Sequence, residues 1–111
     1  MSTVHYLVKD DTATTIQSTL TRSHDGSVIN CGDATVRLKF REKGKTNTLF
    51  TLQALDAGDD LQVGVAKFRF GGTNLDVSEG YYEGEIEITF QDGTVETVYE
   101  TLDFYVRADF A

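Results

Sequence analysis

Apolar and polar residues alternate along most of this 111-residue chain. In residues 36–41, Val36, Leu38 and Phe40 alternate with cations. In residues 82–90 the even positions are apolar, and three of the odd positions between them, 83, 85 and 87, are glutamates. Side chains of a β-strand point alternately to opposite faces, so this pattern is typical of strands with one buried face. No stretch repeats apolar residues at the three-to-four-residue spacing of a helix. The pattern therefore predicts an all-β chain.

Turn clusters rich in Gly, Asp and Asn divide the chain into about seven predicted strands. The strands cover residues 4–8, 14–21, 34–42, 47–54, 61–70, 81–91 and 94–107. In the fifth of them the apolar residues change from odd to even positions, and we expect a β-bulge near Gly64 for this reason. Short strands at even spacing predict an antiparallel sandwich or a barrel.

Composition narrows the class of protein. The chain has 18 acidic and 10 basic residues, a net charge of −8, which argues against a nucleic-acid or anionic-membrane surface. The single Cys excludes an internal disulfide. The length fits one domain over residues 1–111. Because we find neither a signal peptide at the N-terminus nor an apolar run long enough to span a membrane, we expect synthesis in a reducing cytoplasm.

Gly80 and Tyr82 stand at the entrance of a late strand, in the pattern of the tyrosine corner of immunoglobulin-like sandwiches. There the Tyr hydroxyl bonds back to the preceding backbone and fixes the corner. The pattern usually has Asp at the position of Ser78 and a disulfide Cys at that of Gly84, and neither is present. The alternative is that Tyr82 is simply a core aromatic. The corner predicts an immunoglobulin-like antiparallel β-sandwich without a disulfide.

Several short motifs follow one another in an order that extends over nearly the whole chain. They are Lys9-Asp10-Asp11-Thr12, the stretch from Ile16 to Leu20, the segment DGSVINCGDATV at 25–36, and Gly80-Tyr81-Tyr82 followed by GEIEITFQDGT. In this order they resemble the N-terminal domain of phage baseplate upper proteins. Cys31 stands where that family usually has Leu, and the Gly that usually precedes the aspartate of the first motif is missing.

The resemblance implies an immunoglobulin-like module in a phage virion, near the tail tip or baseplate. Its expected partners are other virion proteins, with several copies in a symmetric assembly and with no enzymatic activity, cofactor, nucleic acid or membrane. Because no receptor-binding region follows residue 111, we expect an attachment or adaptor module alone. The alternative is a carbohydrate- or protein-binding sandwich on the virion surface, for host recognition or capsid decoration. An exposed cluster of Tyr with carboxylates would favour a sugar binder.

Two charged stripes and one terminal aromatic are candidate interface residues. They are Arg37, Lys39 and Arg41 in one strand, Glu83, Glu85 and Glu87 in another, and Phe110 after the last strand. If the two strands belong to different sheets, the two faces of the sandwich carry opposite charge, which suits head-to-tail contacts between copies. The alternative is that the stripes are solvated faces that discourage edge pairing.

Cysteine and histidine offer little catalytic chemistry. Cys31 with His5 or His24 contains a nucleophile and a base. However, no nucleophile elbow or thiol-protease signature surrounds Cys31, and its position after two apolar residues favours a small buried side chain. We therefore expect no catalytic site.

An acidic loop is the one candidate for cation binding. Asp56, Asp59 and Asp60 lie within five residues of one another, and Ca²⁺ prefers six to eight oxygen ligands. The spacing differs from that of an EF-hand, and acidic turns are ordinary in a chain of this charge. Whether the loop binds a cation stays open, and no metal ligands are assigned.

Overall fold

Two β-sheets face each other across a core of aromatic and aliphatic side chains. The structure is a computed structural model, which describes residues 4–55 and 60–110. These residues form strands β1 (Val4–Val8), β2 (Thr14–Thr19), β3 (Thr35–Glu42), β4 (Thr48–Gln53), β5 (Val65–Phe70), β6 (Gly80–Thr89), β7 (Val95–Thr97) and β8 (Leu102–Arg107). The all-β prediction is confirmed.

The larger sheet has six strands in the order β1-β8-β6-β3-β4, with β7 also pairing with β6. The smaller sheet contains β2 and β5. This partition, with β3, β6 and β8 in one sheet and β2 and β5 in the other, is that of an immunoglobulin-like sandwich. The predicted sandwich is confirmed, and its strand pairs are antiparallel except that β1 runs parallel to β8.

Two predicted strands are interrupted in the structure. Leu61–Val63 forms a turn of 3₁₀ helix that ends at Gly64, whose φ of 75° is left-handed, and β5 begins only at Val65. The change of apolar phase in 61–70 therefore marks a turn that precedes a strand, and the expected bulge near Gly64 is wrong. The segment 94–107 divides into β7 and β8, separated by residues 98–101. A shift of register occurs instead between β3 and β4, next to Phe40.

The core contains aromatic rings from both sheets. Phe40 of β3 contacts Phe70 of β5 and Phe104 of β8, with ring centroids 5.6 and 5.1 Å apart. Gly84 of β6 lies where a side chain would not fit: a Cβ there would be 2.6 Å from Leu38 Cδ1 and 3.0 Å from Phe104 Cε2. Side chains from β3 and β8, the strands on either side of β6, thus close over a glycine at the position where immunoglobulin-like domains usually have a disulfide Cys.

Candidate functional site: the outer face of the large sheet

The two charged stripes lie side by side on one face of the large sheet. Strands β3 and β6 are antiparallel neighbours, and their register pairs Arg37 with Glu87, Lys39 with Glu85, and Arg41 with Glu83. Lys39 Nζ lies 3.0 Å from the Glu87 carboxylate, and Arg41 Nε lies 2.9 Å from that of Glu83. Each predicted stripe therefore has its counter-charge within the same molecule.

This arrangement corrects the expectation of oppositely charged faces. The condition was that the two strands belong to different sheets, and they are neighbours in one sheet. Side chains that face each other on adjacent strands lie close enough for opposite charges to attract and like charges to repel. Exposed ion pairs of this kind contribute at most about 1 kcal/mol. The stripes stabilise the pairing of β3 with β6, and together they do not form a face of a single sign.

Three tyrosines form a row across the same outer face. The register places Tyr6 of β1 opposite Tyr105 of β8, and Tyr105 opposite Tyr81 of β6. Tyr6 is 77% exposed and Tyr81 is 62% exposed. The rings of Tyr81 and Tyr105 lie 4.8 Å apart at an angle of 58°. Because neighbouring strands are about 4.8 Å apart, this tyrosine row spans about 10 Å across the sheet.

Charged groups border the tyrosine row. Next to Tyr81, the Lys43 backbone N–H donates to the Tyr81 carbonyl, and Lys43 Nζ lies 3.5 Å from the Asp103 carboxylate. At the end of β8, the Arg107 guanidinium lies 4.8 Å from the centre of the Phe110 ring. Phe110 is 88% exposed, as expected of a candidate anchor. The face therefore combines exposed aromatic rings with paired charges.

Sequence reasoning did not bring these three tyrosines together. Each one immediately precedes or follows a buried residue, so the alternation alone places it on a solvent-facing position. Which strands are neighbours was the missing information, since β1 and β8 come from opposite ends of the chain and are not joined by a hairpin. Only their unexpected parallel pairing extends the row to Tyr6.

Tyr82 makes the hydrogen bond that the corner interpretation requires. Its hydroxyl donates to the Ser78 carbonyl oxygen at 2.5 Å, and its ring is buried against Phe40. Burial raises the pKa of the Tyr82 hydroxyl. Gly80, two residues earlier, has a φ of 150°, which favours glycine. The Tyr82 bond is therefore structural, because it joins the start of β6 to the preceding loop.

The histidines and the cysteine lie in three different surroundings. Cys31 is fully buried, and this burial raises the pKa of its thiol and disfavours the nucleophilic thiolate. His5 packs against Phe104 with ring centroids 5.4 Å apart, and burial lowers the pKa of its imidazole. His24 lies in an exposed loop, 3.3 Å from the Asp25 carboxylate.

Of the three aspartates of the acidic loop, only Asp60 belongs to the described residues. Asp56 and Asp59 lie outside the described residues. Asp60 lies 3.2 Å from Lys67 Nζ and so has a cation of the protein as its neighbour. Among residues 4–55 and 60–110, no group of three or more His, Cys, Asp or Glu side chains is arranged to hold a metal ion. In the same residues no helix has the length and apolar character needed to cross a bilayer.

No protein-family model and no curated protein matches this chain. Fold and surface define its class: an immunoglobulin-like sandwich without a disulfide, with a row of exposed tyrosines on the outer face of its large sheet.

Proposed function

We propose that this protein is a non-enzymatic attachment module of a bacteriophage virion. It docks other virion proteins in the region of the tail or baseplate and uses the outer face of the large sheet to do so. The observation that carries the proposal is the tyrosine row of Tyr6, Tyr105 and Tyr81.

The chemistry of this face suits a protein partner. Tyrosine and arginine are enriched at the centres of protein interfaces, where a ring buries a large area at a small cost in side-chain entropy. Tyr6 and Tyr81 are mostly exposed, because the alternation of β1 and β6 places them on the outer face of the sheet. The paired charges around the row resemble the polar rim of an interface, which sets orientation more than affinity.

The assignment to a virion comes from the resemblance to the N-terminal domain of phage baseplate upper proteins. That resemblance depends on the order of the motifs, including Gly80-Tyr81-Tyr82 and the strand that follows. The sandwich fold agrees with it. A module of this kind acts by position: it joins other proteins without changing them chemically.

A carbohydrate is the second candidate for the same face. An exposed group of Tyr with carboxylates is the feature expected of a sugar binder, and this face has one. Glu83 and Asp103 lie two residues along β6 and β8 from Tyr81 and Tyr105, on the same face of the sheet. Against it, the 58° angle between the Tyr81 and Tyr105 rings gives no flat platform for an extended polysaccharide. Rings at different angles fit the uneven surface of a protein better.

Quantitative mass spectrometry of purified phage particles, which measures how much of this chain they contain, tests the proposal. We expect the wild-type chain in particles at a fixed ratio to the other tail proteins. Tyr81→Ala should reduce its retention strongly, because it removes the exposed ring at one end of the row together with its contact with the Tyr105 ring. The matched control is Tyr99→Ala, which removes a ring 82% exposed in the loop before β8. Absence of the wild-type chain from particles would contradict the proposal, and binding of the pure protein to a glycan array would then support the second candidate.

A further inference from the structure

Strand β1 has an unpaired side in the described structure. It lies at the end of the large sheet with β8 as its one neighbour. The Lys9 N–H donates to the Arg107 carbonyl, so residues 5, 7 and 9 direct their backbone groups toward β8. Because backbone groups alternate in direction along a strand, Val4 and Tyr6 turn their N–H and C=O groups to the free side.

The outward side chains of β1 are unusual for an edge strand. They are Val4, Tyr6 and Val8, and none of them is charged. Every other edge strand has polar or charged outward residues: Thr15, Gln17 and Thr19 in β2, Thr51 and Gln53 beside Leu49 in β4, Lys67 and Arg69 beside Val65 in β5, and Thr97 beside Val95 in β7. Proteins normally protect free edges with charged or polar side chains, since an open edge pairs readily with another strand.

We propose that β1 pairs antiparallel with β1 of a second copy of this chain, with Tyr6 opposite Tyr6. The register follows from the backbone: Tyr6 is the middle residue of β1 and directs both its N–H and its C=O to the free edge. Two such residues exchange a pair of hydrogen bonds in an antiparallel ladder. The same register places Val4 opposite Val8 and His5 opposite Leu7, so that apolar residues meet on both faces.

The charges on the neighbouring strand favour the antiparallel orientation of a second copy. The effect is small, because the charged residues lie three strand spacings, about 14 Å, apart and Asp103 also has Lys43 Nζ 3.5 Å away. Val4 lies beside Asp103 of β8, and Val8 lies beside Arg107. In the antiparallel dimer, Arg107 of one copy and Asp103 of the other lie in the same row on either side of the two valines. The twofold axis repeats this complementary arrangement at the other end of the strand pair. Parallel pairing would align Arg107 with Arg107 and Asp103 with Asp103.

Pairing through β1 would join the two large sheets into one continuous sheet. The two tyrosine rows would then form a single row, with Tyr6 of each copy at the centre. The pairing does not depend on the proposed function. If the tyrosine row docks virion proteins, however, the dimer presents two docking faces on one side, and two linked contacts bind more tightly than one.

Sedimentation of the full chain over a concentration series tests the pairing. We expect the wild-type protein to pass from the chain mass of 12.3 kDa to twice that mass as its concentration rises. Tyr6→Lys places two cations opposite each other and should raise the dimer dissociation constant at least about tenfold. Gln17→Lys, at an equally exposed position on the edge of β2, should leave it unchanged. Because Tyr6 is 77% exposed, the variant should fold, which a thermal melt checks.

A cysteine pair tests the register separately. In a hydrogen-bonded antiparallel pair the Cα atoms are about 5.5 Å apart, within disulfide reach. Tyr6→Cys should therefore give a covalent dimer under mild oxidation, and Gln17→Cys should give it far more slowly. The native Cys31 is fully buried and does not compete.

Three results would overturn the pairing: a wild-type chain that is monomeric at every concentration, a dimer unaffected by Tyr6→Lys, or equal cross-linking of the two cysteine variants. These results are independent of the particle experiment. A dimer that is absent from particles removes the proposed function and leaves the pairing intact. A monomer retained in particles does the reverse.

Discussion

Gly64→Ala tests the connection between the 3₁₀ turn and β5. Gly64 has a φ of 75°, and a Cβ there would lie 2.5 Å from Val28 Cγ1 and 3.1 Å from the carbonyl oxygens of Leu20 and Ile29. Two physical costs therefore combine. Alanine in the left-handed region costs about 1–2 kcal/mol. Overpacking against neighbours that include backbone costs a further ~1–3 kcal/mol.

The chain offers a matched control at Gly26. Its φ is 73°, almost the same as that of Gly64, but no atom lies within 4 Å of the position that a Cβ would take. Gly26→Ala therefore has the conformational cost alone, and the lower entropy of the unfolded alanine chain, worth about 0.4–1 kcal/mol, applies equally to both variants. The difference between the two variants isolates the overpacking.

Urea denaturation of the wild type and the two variants measures these free energies of unfolding. We expect Gly64→Ala to lose about 1–3 kcal/mol more than Gly26→Ala, with similar m-values for all three proteins. Equal losses of unfolding free energy in the two variants would contradict the overpacking at Gly64, because they would show that the turn does not lie tightly against residues 20 and 28–29.

Three further predictions concern single contacts. Tyr82→Phe should lower the free energy of unfolding by about 1–2 kcal/mol, because it removes the buried corner hydrogen bond. Tyr81→Phe on the outer face should change it by less than about 0.5 kcal/mol. Equal effects of the two variants in urea denaturation would contradict the tyrosine corner. Burial lowers the pKa of His5 below its ordinary value of 6.5, so the unfolded chain binds the proton more readily than the folded one. The free energy of unfolding should therefore fall as the pH drops through and below 6.5. In thermal melts over a pH series, His5→Phe should remove this dependence of stability on pH. An unchanged dependence would show that other groups cause it. A double-mutant cycle of Arg41→Ala and Glu83→Ala should give a coupling of about 0.2–1 kcal/mol that decreases with salt, whereas zero coupling at low salt would contradict the pairing of the stripes.

Strands with clear alternation could be located from the sequence, and their neighbours could not. The alternation in β3 and β6 placed Leu38 and Ile86 in the core and the charges outside, as the structure confirms. It contained no information on pairing, so the sequence left open whether the two stripes lie on opposite faces or next to each other in one sheet. The change of phase at Gly64 is equally compatible with a bulge and with a turn, and only its left-handed φ and close neighbours distinguish them.

The candidate site was predicted least well, for the same reason. Tyr6 and Tyr105 are separated by almost the whole chain, and their position side by side depends on a parallel pairing between the two ends. Local patterns do not report such long-range pairings. The exposure of Phe110 could be predicted because it lies beyond the last strand, and its role in an interface stays a prediction.

A density map of an intact phage particle that contains this chain is the strongest test of the proposed docking face. We expect the outer face of the large sheet, with Tyr6, Tyr81 and Tyr105, to be covered by another protein of the particle. A map in which this face is open to solvent in every copy, while the chain is held by other surfaces, would contradict it.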